Sequence, residues 1–182
     1  MESSNGNPRS SNATCPRRPE LAELEQRLSF GRDANRPRAV ARRREKNQRT
    51  ARENLEDLLD AGSFVEYGAL TIAAQRSRRP VDDLIEKTPA DGLITGVGTV
   101  NAEQCGENAG RCMVLAYDYT VLAGTQGFFN HKKMDRLLQL ADEQRLPLIL
   151  FAEGGGGRPG DTDAEGVMIA GLDLPTFRLF AG

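Results

Sequence analysis

The most informative segment of the chain reads Leu148-Ile149-Leu150-Phe151-Ala152-Glu153-Gly154-Gly155-Gly156-Gly157-Arg158-Pro159-Gly160. Its first four residues form a short apolar run of β type, which predicts a strand that ends in four consecutive glycines. Glycine has no Cβ, so its backbone reaches positive φ and another molecule can approach it closely. Such a turn leaves two or three peptide N–H groups facing open space, which suits an anion or a developing oxyanion. The alternative interpretation is a flexible loop, and the glycines alone do not decide between the two.

The segments before this strand predict an α/β arrangement. Apolar residues at helical spacing predict an amphipathic helix over 131–144, which follows a nearly apolar strand over 112–122. A further β-rich run covers 93–100, and a short alternating run covers 63–68. From residue 93 onward the order is therefore strand, strand, helix, strand. Because a helix that connects two neighbouring strands forms a crossover, we expect the strand at 148 to lie parallel to its predecessor.

The N-terminal third predicts two helices. Leucines at helical spacing after Pro19 predict a short helix that ends near Gly31, and residues 36–60 read as one longer helix. The first half of this longer helix is basic. It contains Arg36, Arg38, Arg42, Arg43, Arg44, Lys46, Arg49 and Arg52.

The basic half of that helix has three interpretations. It could bind nucleic acid, it could be a solvated outer face, or one or two arginines could lie near a substrate phosphate. The solvated face is favoured over nucleic acid because no aromatic residues lie between the charges to stack on bases. The remaining segments are polar or charged connections over 76–87, 101–110 and 161–171, and an apolar stretch with helical spacing over 174–182.

Composition excludes several classes of protein. The 182 residues suffice for one domain with a real core, and a net charge of −2 gives no general attraction to nucleic acid or membranes. The three cysteines, Cys15, Cys105 and Cys112, lack CxxC spacing, which argues against a disulfide framework and a zinc ribbon. The sequence contains neither an apolar run of about 18 residues nor a secretory signal. We therefore expect a cytoplasmic protein without a membrane span.

Three familiar catalytic or binding motifs fail on inspection. Gly155-x-x-x-x-Gly160 resembles a phosphate-binding loop, but Asp161 stands at the lysine position and would repel a phosphate. The acidic run after Gly160 resembles a calcium loop, but Leu172 stands where a bidentate glutamate is needed, so no metal is predicted. His131 is the only histidine, and no nucleophile elbow accompanies it. Any chemistry must then be carried by backbone amides, or by an acid or base that the substrate or another chain supplies.

Five segments in a fixed order carry a resemblance to a known family. The sequence resembles the N-terminal domain of the carboxyltransferase of biotin-dependent acyl-CoA carboxylases, the acetyl-CoA and propionyl-CoA carboxylases, over about residues 36–182. The resemblance implies a crotonase-like ββα spiral, an α/β fold, here incomplete and preceded by N-terminal helices. The segments are Gly62–Glu66, Ala90–Gly98, Asp118–Gly124, His131–Lys133 and Glu153–Arg158.

The resemblance also implies site residues. In this family the turn commonly reads Ser-Gly-Gly-Ala-Arg, and two of its backbone amides bind the enolate oxygen of an acyl-CoA thioester. The implied oxyanion hole lies at Gly155 and Gly156, with Gly157 next, and glycine departs from the family pattern at 154 and 157. Such a glycine-rich turn is most similar to carboxylases in which several domains share one polypeptide. The residues implied for the CoA and acyl pocket are Gly124, Gly127, Lys132 and Arg158.

The implied reaction moves a carboxyl group from carboxybiotin, on a separate carrier, to the α-carbon of an acyl-CoA. The implied partners are acyl-CoA, biotin carrier and biotin carboxylase components, and a C-terminal carboxyltransferase half, in a homo-oligomer without membrane or nucleic acid. We expect a disordered tail or linker over 1–18, a helical segment over 19–60 and a partial carboxyltransferase domain over 61–182. Because the family builds its active site between two domains, we expect a truncated piece without carboxylase turnover of its own.

Two alternatives remain open at this stage. The first is another crotonase-like acyl-CoA enzyme, such as a hydratase or a decarboxylase. The second is a nucleic-acid-binding module that uses the basic residues of 36–52, which salt-dependent binding to generic DNA or RNA would reveal.

Overall fold

A mixed four-stranded sheet forms the centre of the computed structural model, which describes residues 18–163 and 176–181. The strands lie side by side in chain order: β1 (Val65–Tyr67), β2 (Leu93–Thr99), β3 (Arg111–Tyr117) and β4 (Leu148–Phe151). The pairs β1–β2 and β2–β3 are antiparallel, and β3–β4 is parallel. The predicted order and the predicted parallel crossover are therefore confirmed.

Helices surround this sheet. In the described residues they are α1 (Pro19–Ser29), α2 (Pro37–Glu45), α3 (Ala51–Leu58), α4 (Val81–Lys87), α5 (Ala102–Cys105), α6 (Glu107–Gly110), α7 (Phe128–Gln144) and α8 (Thr176–Ala181). Short 3-10 helices lie at Asp33–Asn35, Pro89–Gly92 and Leu122–Gly124.

Both faces of the central strands are covered, as the nearly apolar sequence of β3 predicts. On one face α7 packs against β2 and β3, and on the other face α3 packs against the same two strands. Alternate residues of each strand point to opposite faces, so β2 and β3 contribute to both cores. The first core contains Leu93, Val97, Met113, Leu115, Tyr117, Met134, Leu137, Leu138 and Ala141. The second contains Ala51, Leu55, Leu59, Ile94, Cys112, Val114 and Ala116.

The prediction of one helix over 36–60 is wrong, because the chain breaks after α2 and restarts at α3. Asn47 adopts a positive φ of 53°, and Thr50 begins α3 with a capping box. The Thr50 hydroxyl accepts the Glu53 N–H at 3.1 Å, and the Glu53 carboxylate accepts the Thr50 N–H at 2.8 Å. This local start signal outweighs the continuity of charged residues across the break.

Two smaller differences trace to hydrogen bonds between backbone N–H groups and aspartate side chains. The strand predicted to run to 122 ends at Tyr117, because Asp118 turns the chain and accepts the Thr120 N–H at 2.9 Å. The following helix begins at Phe128 instead of 131, where the Asp161 carboxylate accepts the Phe128 N–H at 2.8 Å. The connections predicted over 76–87 and 101–110 contain α4, and α5 with α6, respectively.

The structure bears only in part on the chain ends. The tail predicted over 1–18 lies outside the described residues except for residue 18, and the acidic connection of 161–171 is described only to 163. The helical spacing noted over 174–182 corresponds to α8. No helix within 18–163 or 176–181 combines the length and hydropathy that a membrane-spanning helix requires.

Candidate oxyanion site at the glycine turn

The glycine turn after β4 is held by the loop that follows β3. Gln126 bridges two positions of the turn, since its N–H donates to the Gly156 carbonyl at 2.8 Å and its own carbonyl accepts the Arg158 N–H at 2.8 Å. The Gly155 N–H donates to the Ala123 carbonyl at 3.1 Å. Three backbone hydrogen bonds therefore fix the turn, which is not the flexible loop of the alternative interpretation.

The same bonds determine which amides of the turn are free. The hydrogen bond to Ala123 occupies the Gly155 proton, so this member of the predicted trio is not available as an oxyanion donor in the described arrangement. Among the residues that the structure describes, the N–H groups of Gly156 and Gly157 donate to no backbone carbonyl. Gly156 adopts a φ of 83°, and a Cβ built there meets nothing within 4 Å. Within the described residues, two consecutive amides thus lack a backbone partner, and both of these glycines are exposed.

Close backbone contact explains two other glycines of the site. A Cβ on Gly154 would lie 2.1 Å from the Gly124 carbonyl oxygen, and a Cβ on Gly124 would lie 2.4 Å from the Glu153 carbonyl oxygen. Neither position tolerates a side chain unless the two backbones separate. The predicted pocket residue Gly124 therefore forms one wall of the site. The adjoining cavity, of about 270 Å³, is lined by Tyr117, Gly124, Gln126, Ala152, Glu153, Gly154 and Gly156.

Arg158, predicted as a pocket residue, lies beneath the turn in a buried ion-pair cluster. Its Nη2 donates to the Asp91 carboxylate at 2.7 Å and to the Thr125 carbonyl at 3.3 Å, and its Nε lies 3.5 Å from Asp161. Burial raises the pKa of the Asp91 carboxyl to about 6, although the Arg158 guanidinium opposes the rise. A Cβ on Gly127 would lie 2.1 Å from Arg158 Nη2. Gly127 and Arg158 therefore support the turn from inside.

The two lysines at the start of α7 face different surroundings. Lys132 is exposed, and its Nζ lies 5.5 Å from the centroid of the Phe128 ring. Lys133 is buried, and its Nζ donates to the Ala90 carbonyl at 2.9 Å and to the Leu93 carbonyl. Burial lowers the pKa of the Lys133 ammonium to about 8. The predicted residue Lys132 is thus the lysine of this pair that solvent can reach.

His131 is fully buried on α7. Its Nδ1 lies 3.1 Å from the Thr176 hydroxyl, which donates to the Asp135 carboxylate. Burial lowers the pKa of the imidazole, although Asp135 opposes this effect. His131 is thus buried between helices α7 and α8.

One contact of the glycine turn was not predicted from the sequence. Arg43 of α2 forms a bidentate ion pair with Glu153, the residue before the glycines, with Nη–Oε distances of 2.6 and 2.7 Å. Arg43 also donates to the Arg49 carbonyl and stacks over the Tyr119 ring at 5.7 Å. The two residues are 110 positions apart, so no local pattern indicates their contact.

Most of the basic residues between 36 and 52 form ion pairs with carboxylates. Five of the eight named above have a carboxylate partner, and several of these partners lie far away in sequence. The interpretation as a solvated face is therefore wrong for Arg36, Arg43 and Arg52, whose side chains are mostly buried, whereas the side chains of Arg44 and Arg49 are exposed. The pairs are Arg36–Asp118, Arg43–Glu153, Arg44–Glu53, Arg49–Asp57 and Arg52–Glu66.

Metal-binding side chains do not cluster in the described part of the chain. Within 18–163 and 176–181, no group of three or more His, Cys, Asp or Glu residues could hold a metal ion.

Comparison with known sequences points to one family. The carboxyl transferase domain family matches residues 42–170. The propionyl-CoA carboxylase beta chain of Saccharopolyspora erythraea is 35% identical over 159 residues, which cover 87% of this chain and 27% of that protein. The biotin-dependent long chain acyl-coenzyme A carboxylase beta4 subunit of Mycobacterium tuberculosis is 32% identical over 142 residues, which cover 78% of this chain and 24% of that protein.

Solved structures give the same result. A single-chain, multi-domain long-chain acyl-CoA carboxylase matches with a TM-score of 0.83 and 59% identity, over 91% of this chain and 16% of that chain. The transcarboxylase 12S hexamer, solved with hydrolysed methylmalonyl-CoA bound, matches with a TM-score of 0.59 and 30% identity. The match covers 78% of this chain and 26% of that chain.

The glycine turn, the crossover sheet and these similarities define a carboxyltransferase domain with the crotonase-like fold. The chain belongs to the carboxyl transferase family, so the predicted resemblance and fold class are confirmed. The chain spans about a quarter of the length of the curated relatives it matches.

Proposed function

We propose that this chain forms the acyl-CoA-binding part of a biotin-dependent carboxyltransferase, which moves a carboxyl group to the α-carbon of an acyl-CoA. The observation that carries this proposal is the pair of N–H groups at Gly156 and Gly157, which donate to no backbone carbonyl of the described residues and lie at a strand end of a carboxyltransferase fold. Relatives named as propionyl-CoA and long-chain acyl-CoA carboxylase subunits support the substrate class. No observation favours a hydratase or a decarboxylase.

The chemistry requires stabilisation of negative charge more than it requires a side-chain nucleophile. If biotin, after giving up its carboxyl group, took the α-proton, negative charge would move onto the thioester oxygen, and the Gly156 and Gly157 amides would donate to that oxygen. Because the turn is already held by Ala123 and Gln126, these donors need little reorganisation when the charge develops. In well-studied enzymes, removal of one such donor costs about 3–4 kcal/mol of barrier. This chemistry needs neither His131 nor a serine.

The remaining predicted residues receive distinct roles in this proposal. Gly124 allows the backbones of the two loops to touch, and Gly127 leaves room for Arg158, which supports the turn through Asp91. Lys132 is exposed and stays a prediction as a contact to acyl-CoA.

Biotin supplies the carboxyl group as carboxybiotin when its carrier is bound. No residue in the described part of the chain is assigned to hold it, so we propose that biotin carrier, biotin carboxylase and a second carboxyltransferase half are partners in an oligomer. The transcarboxylase 12S relative was solved as a hexamer.

A cytoplasmic location and a division of the chain at residues 18 and 60 also stay proposals. Leu55 and Leu59 share a core with Ile94, so the helices before residue 60 pack directly on the sheet.

Glycine-to-alanine substitutions test the proposed oxyanion site with a matched control. Gly156 and Gly106 have φ values of 83° and 87°, and a Cβ built at either residue meets nothing within 4 Å. Alanine at either position therefore strains the backbone to a similar degree, about 1–2 kcal/mol. We expect Gly156→Ala to weaken propionyl-CoA binding at least tenfold in calorimetry, whereas Gly106→Ala leaves it unchanged. Equal affinities of the two variants would contradict the proposal.

A further inference from the structure

Three consecutive residues before β2 adopt a left-handed backbone. Ala90, Asp91 and Gly92 have φ values of 53°, 49° and 70°, and all three are buried. Glycine tolerates such a φ, whereas a residue with a Cβ keeps it only when its surroundings hold it there. We call Ala90–Gly92 the left-handed turn. Its conformation therefore depends on contacts from outside the turn.

The ammonium group of Lys133 on α7 bonds to both ends of the left-handed turn. Its Nζ donates to the Ala90 carbonyl at 2.9 Å and to the carbonyl of Leu93, the first residue of β2. Although burial lowers its pKa to about 8, the group stays mostly protonated at pH 7. Because charged donors form stronger hydrogen bonds than neutral ones, this one side chain fixes two carbonyls that lie three residues apart.

A second residue of α7 holds the middle of the left-handed turn. The Asn130 N–H donates to the Asp91 carboxylate at 2.8 Å, and its Nδ2 donates to the Asp91 carbonyl at 3.2 Å. Asn130 and Lys133 are three residues apart, so they lie on the same side of the helix. The left-handed turn is therefore attached to the first two turns of α7.

One ion pair connects the left-handed turn to the glycine turn. Asp91 accepts from Arg158 Nη2 at 2.7 Å, and both side chains are buried. Arg158 directly follows Gly157, and its own N–H donates to the Gln126 carbonyl at 2.8 Å. A displacement of the left-handed turn therefore reaches the glycine turn through a single buried side chain.

We propose that Lys133 is a positioning residue for the glycine turn. Its ammonium holds the left-handed turn in place, and the Asp91–Arg158 pair conveys that position to the amides of the glycine turn. The consequence for thioester binding rests on the proposed function, because that function places an oxyanion at these amides. Lys133 acts through the turn, since its side chain is buried and its Nζ bonds to backbone carbonyls.

Two variants perturb Lys133 in different ways, and each has a matched control. Lys133→Met keeps the length of the side chain but removes its donors. Thr99→Val also removes a buried donor, the one to Asp60 at 2.6 Å, at the other end of β2. Gly68→Ala keeps the ammonium but displaces the side chain, because a Cβ there would lie 2.9 Å from Lys133 Cε. Gly62→Ala is its control, since φ is 78° there against 67° and a Cβ meets nothing within 4 Å.

Amide hydrogen exchange in the full chain measures how firmly the glycine turn is held. The two reporters are the N–H groups of Gly155 and Arg158, which donate to Ala123 and Gln126. The amides of β3 report the opening of the whole sheet. The rate of each reporter divided by that of β3 separates a local effect on the turn from a general loss of stability.

We expect Lys133→Met to raise this ratio about tenfold and Gly68→Ala about threefold, because the left-handed turn loses its charged contacts or has them displaced. Thr99→Val and Gly62→Ala should leave the ratio at its wild-type value. A ratio in Lys133→Met no higher than in Thr99→Val would overturn the inference, since Lys133 would then contribute only to overall stability. If Lys133→Met does not fold, equal ratios in Gly68→Ala and Gly62→Ala would overturn it.

Calorimetry with propionyl-CoA and with CoA separates this inference from the proposed function. We expect Lys133→Met to weaken propionyl-CoA binding about three- to tenfold and to leave CoA binding unchanged, because only the thioester uses the amides of the glycine turn. If the wild type binds both ligands equally, the proposed function fails, and the exchange ratio still decides the role of Lys133. If the wild type prefers propionyl-CoA but the exchange ratio does not respond, the inference fails and the proposed function stands.

Discussion

At the scale of single residues, the support of the glycine turn depends on buried charge. Arg158 and Asp91 have side chains only 7% and 0% exposed, and their ion pair lies directly under the turn. A buried ion pair is weak evidence for net stability, but removal of one partner leaves the other charge buried and unpaired. The cluster therefore makes the position of the turn sensitive to either residue.

Asp91→Asn tests this support. We expect the substitution to lower the free energy of unfolding by about 3–5 kcal/mol, because Arg158 would keep its hydrogen bond to the Thr125 carbonyl but only the longer ion pair, with Asp161. Urea denaturation measures the loss. Asp57→Asn is the matched control, since Asp57 pairs with Arg49 at 3.0 Å on the exposed surface and its loss should leave the midpoint nearly unchanged. Similar losses in both variants would show that burial does not determine the effect.

His131 gives a pH-dependent prediction. Burial lowers its pKa below the ordinary 6.5, so the unfolded chain binds the proton more readily than the folded chain. The stability that this group contributes is complete above pH 6.5 and is lost as the pH falls through the lower folded pKa. Since the sequence has one histidine, a single ring resonance in proton NMR reports its titration. A measured pKa at or above 6.5 would contradict the buried, neutral imidazole.

The difference between the predicted and observed roles of residues has a physical reason. The glycine turn was predictable because four glycines after an apolar strand constrain the backbone locally. That the Gly155 proton is taken, and that Arg158 points inward, depends on Ala123 and Asp91, which are distant in sequence. No sequence pattern reveals which donor of a turn finds a partner in a neighbouring loop.

At the scale of secondary-structure elements, the strands and the crossover helix were predictable, because the spacing of apolar residues in the sequence directly reflects which face of an element is buried. The helix over 36–60 was not, because a run of charged residues hides the restart at Thr50. There, a hydroxyl and a carboxylate three residues apart begin a new helix. The break ends α2 after Glu45, and Arg43 in the last turn of α2 contacts Glu153.

The contact between α2 and the turn provides a prediction at this scale. Lysine cannot reproduce the bidentate pair with Glu153. We therefore expect Arg43→Lys to weaken propionyl-CoA binding about three- to tenfold, a loss of roughly 1 kcal/mol, because the turn is less well held. Arg44→Lys on the exposed side of the same helix is the control, and calorimetry compares the two. If Arg43→Lys binds as well as Arg44→Lys, the ion pair does not position the turn.

At the scale of the whole molecule, the sheet places the binding elements at one end. The carboxyl end of β4 leads into the glycine turn, the loop after β3 holds it, and α2 brings charged side chains against both. The order of strands and helices was enough to predict this α/β class. The meeting of α2 with the turn was not predictable, because Arg43 and Glu153 are 110 positions apart in the sequence.

The most direct test of the proposed oxyanion site is a ¹H–¹⁵N NMR titration of the chain with propionyl-CoA and with CoA. If the thioester oxygen accepts from Gly156 and Gly157, those two amide protons should move downfield with propionyl-CoA and remain in place with CoA. The Gly155 amide, which is bonded to Ala123, should change little with either ligand. Equal shifts of the Gly156 and Gly157 amides with both ligands, or no shift with either, would contradict the proposal.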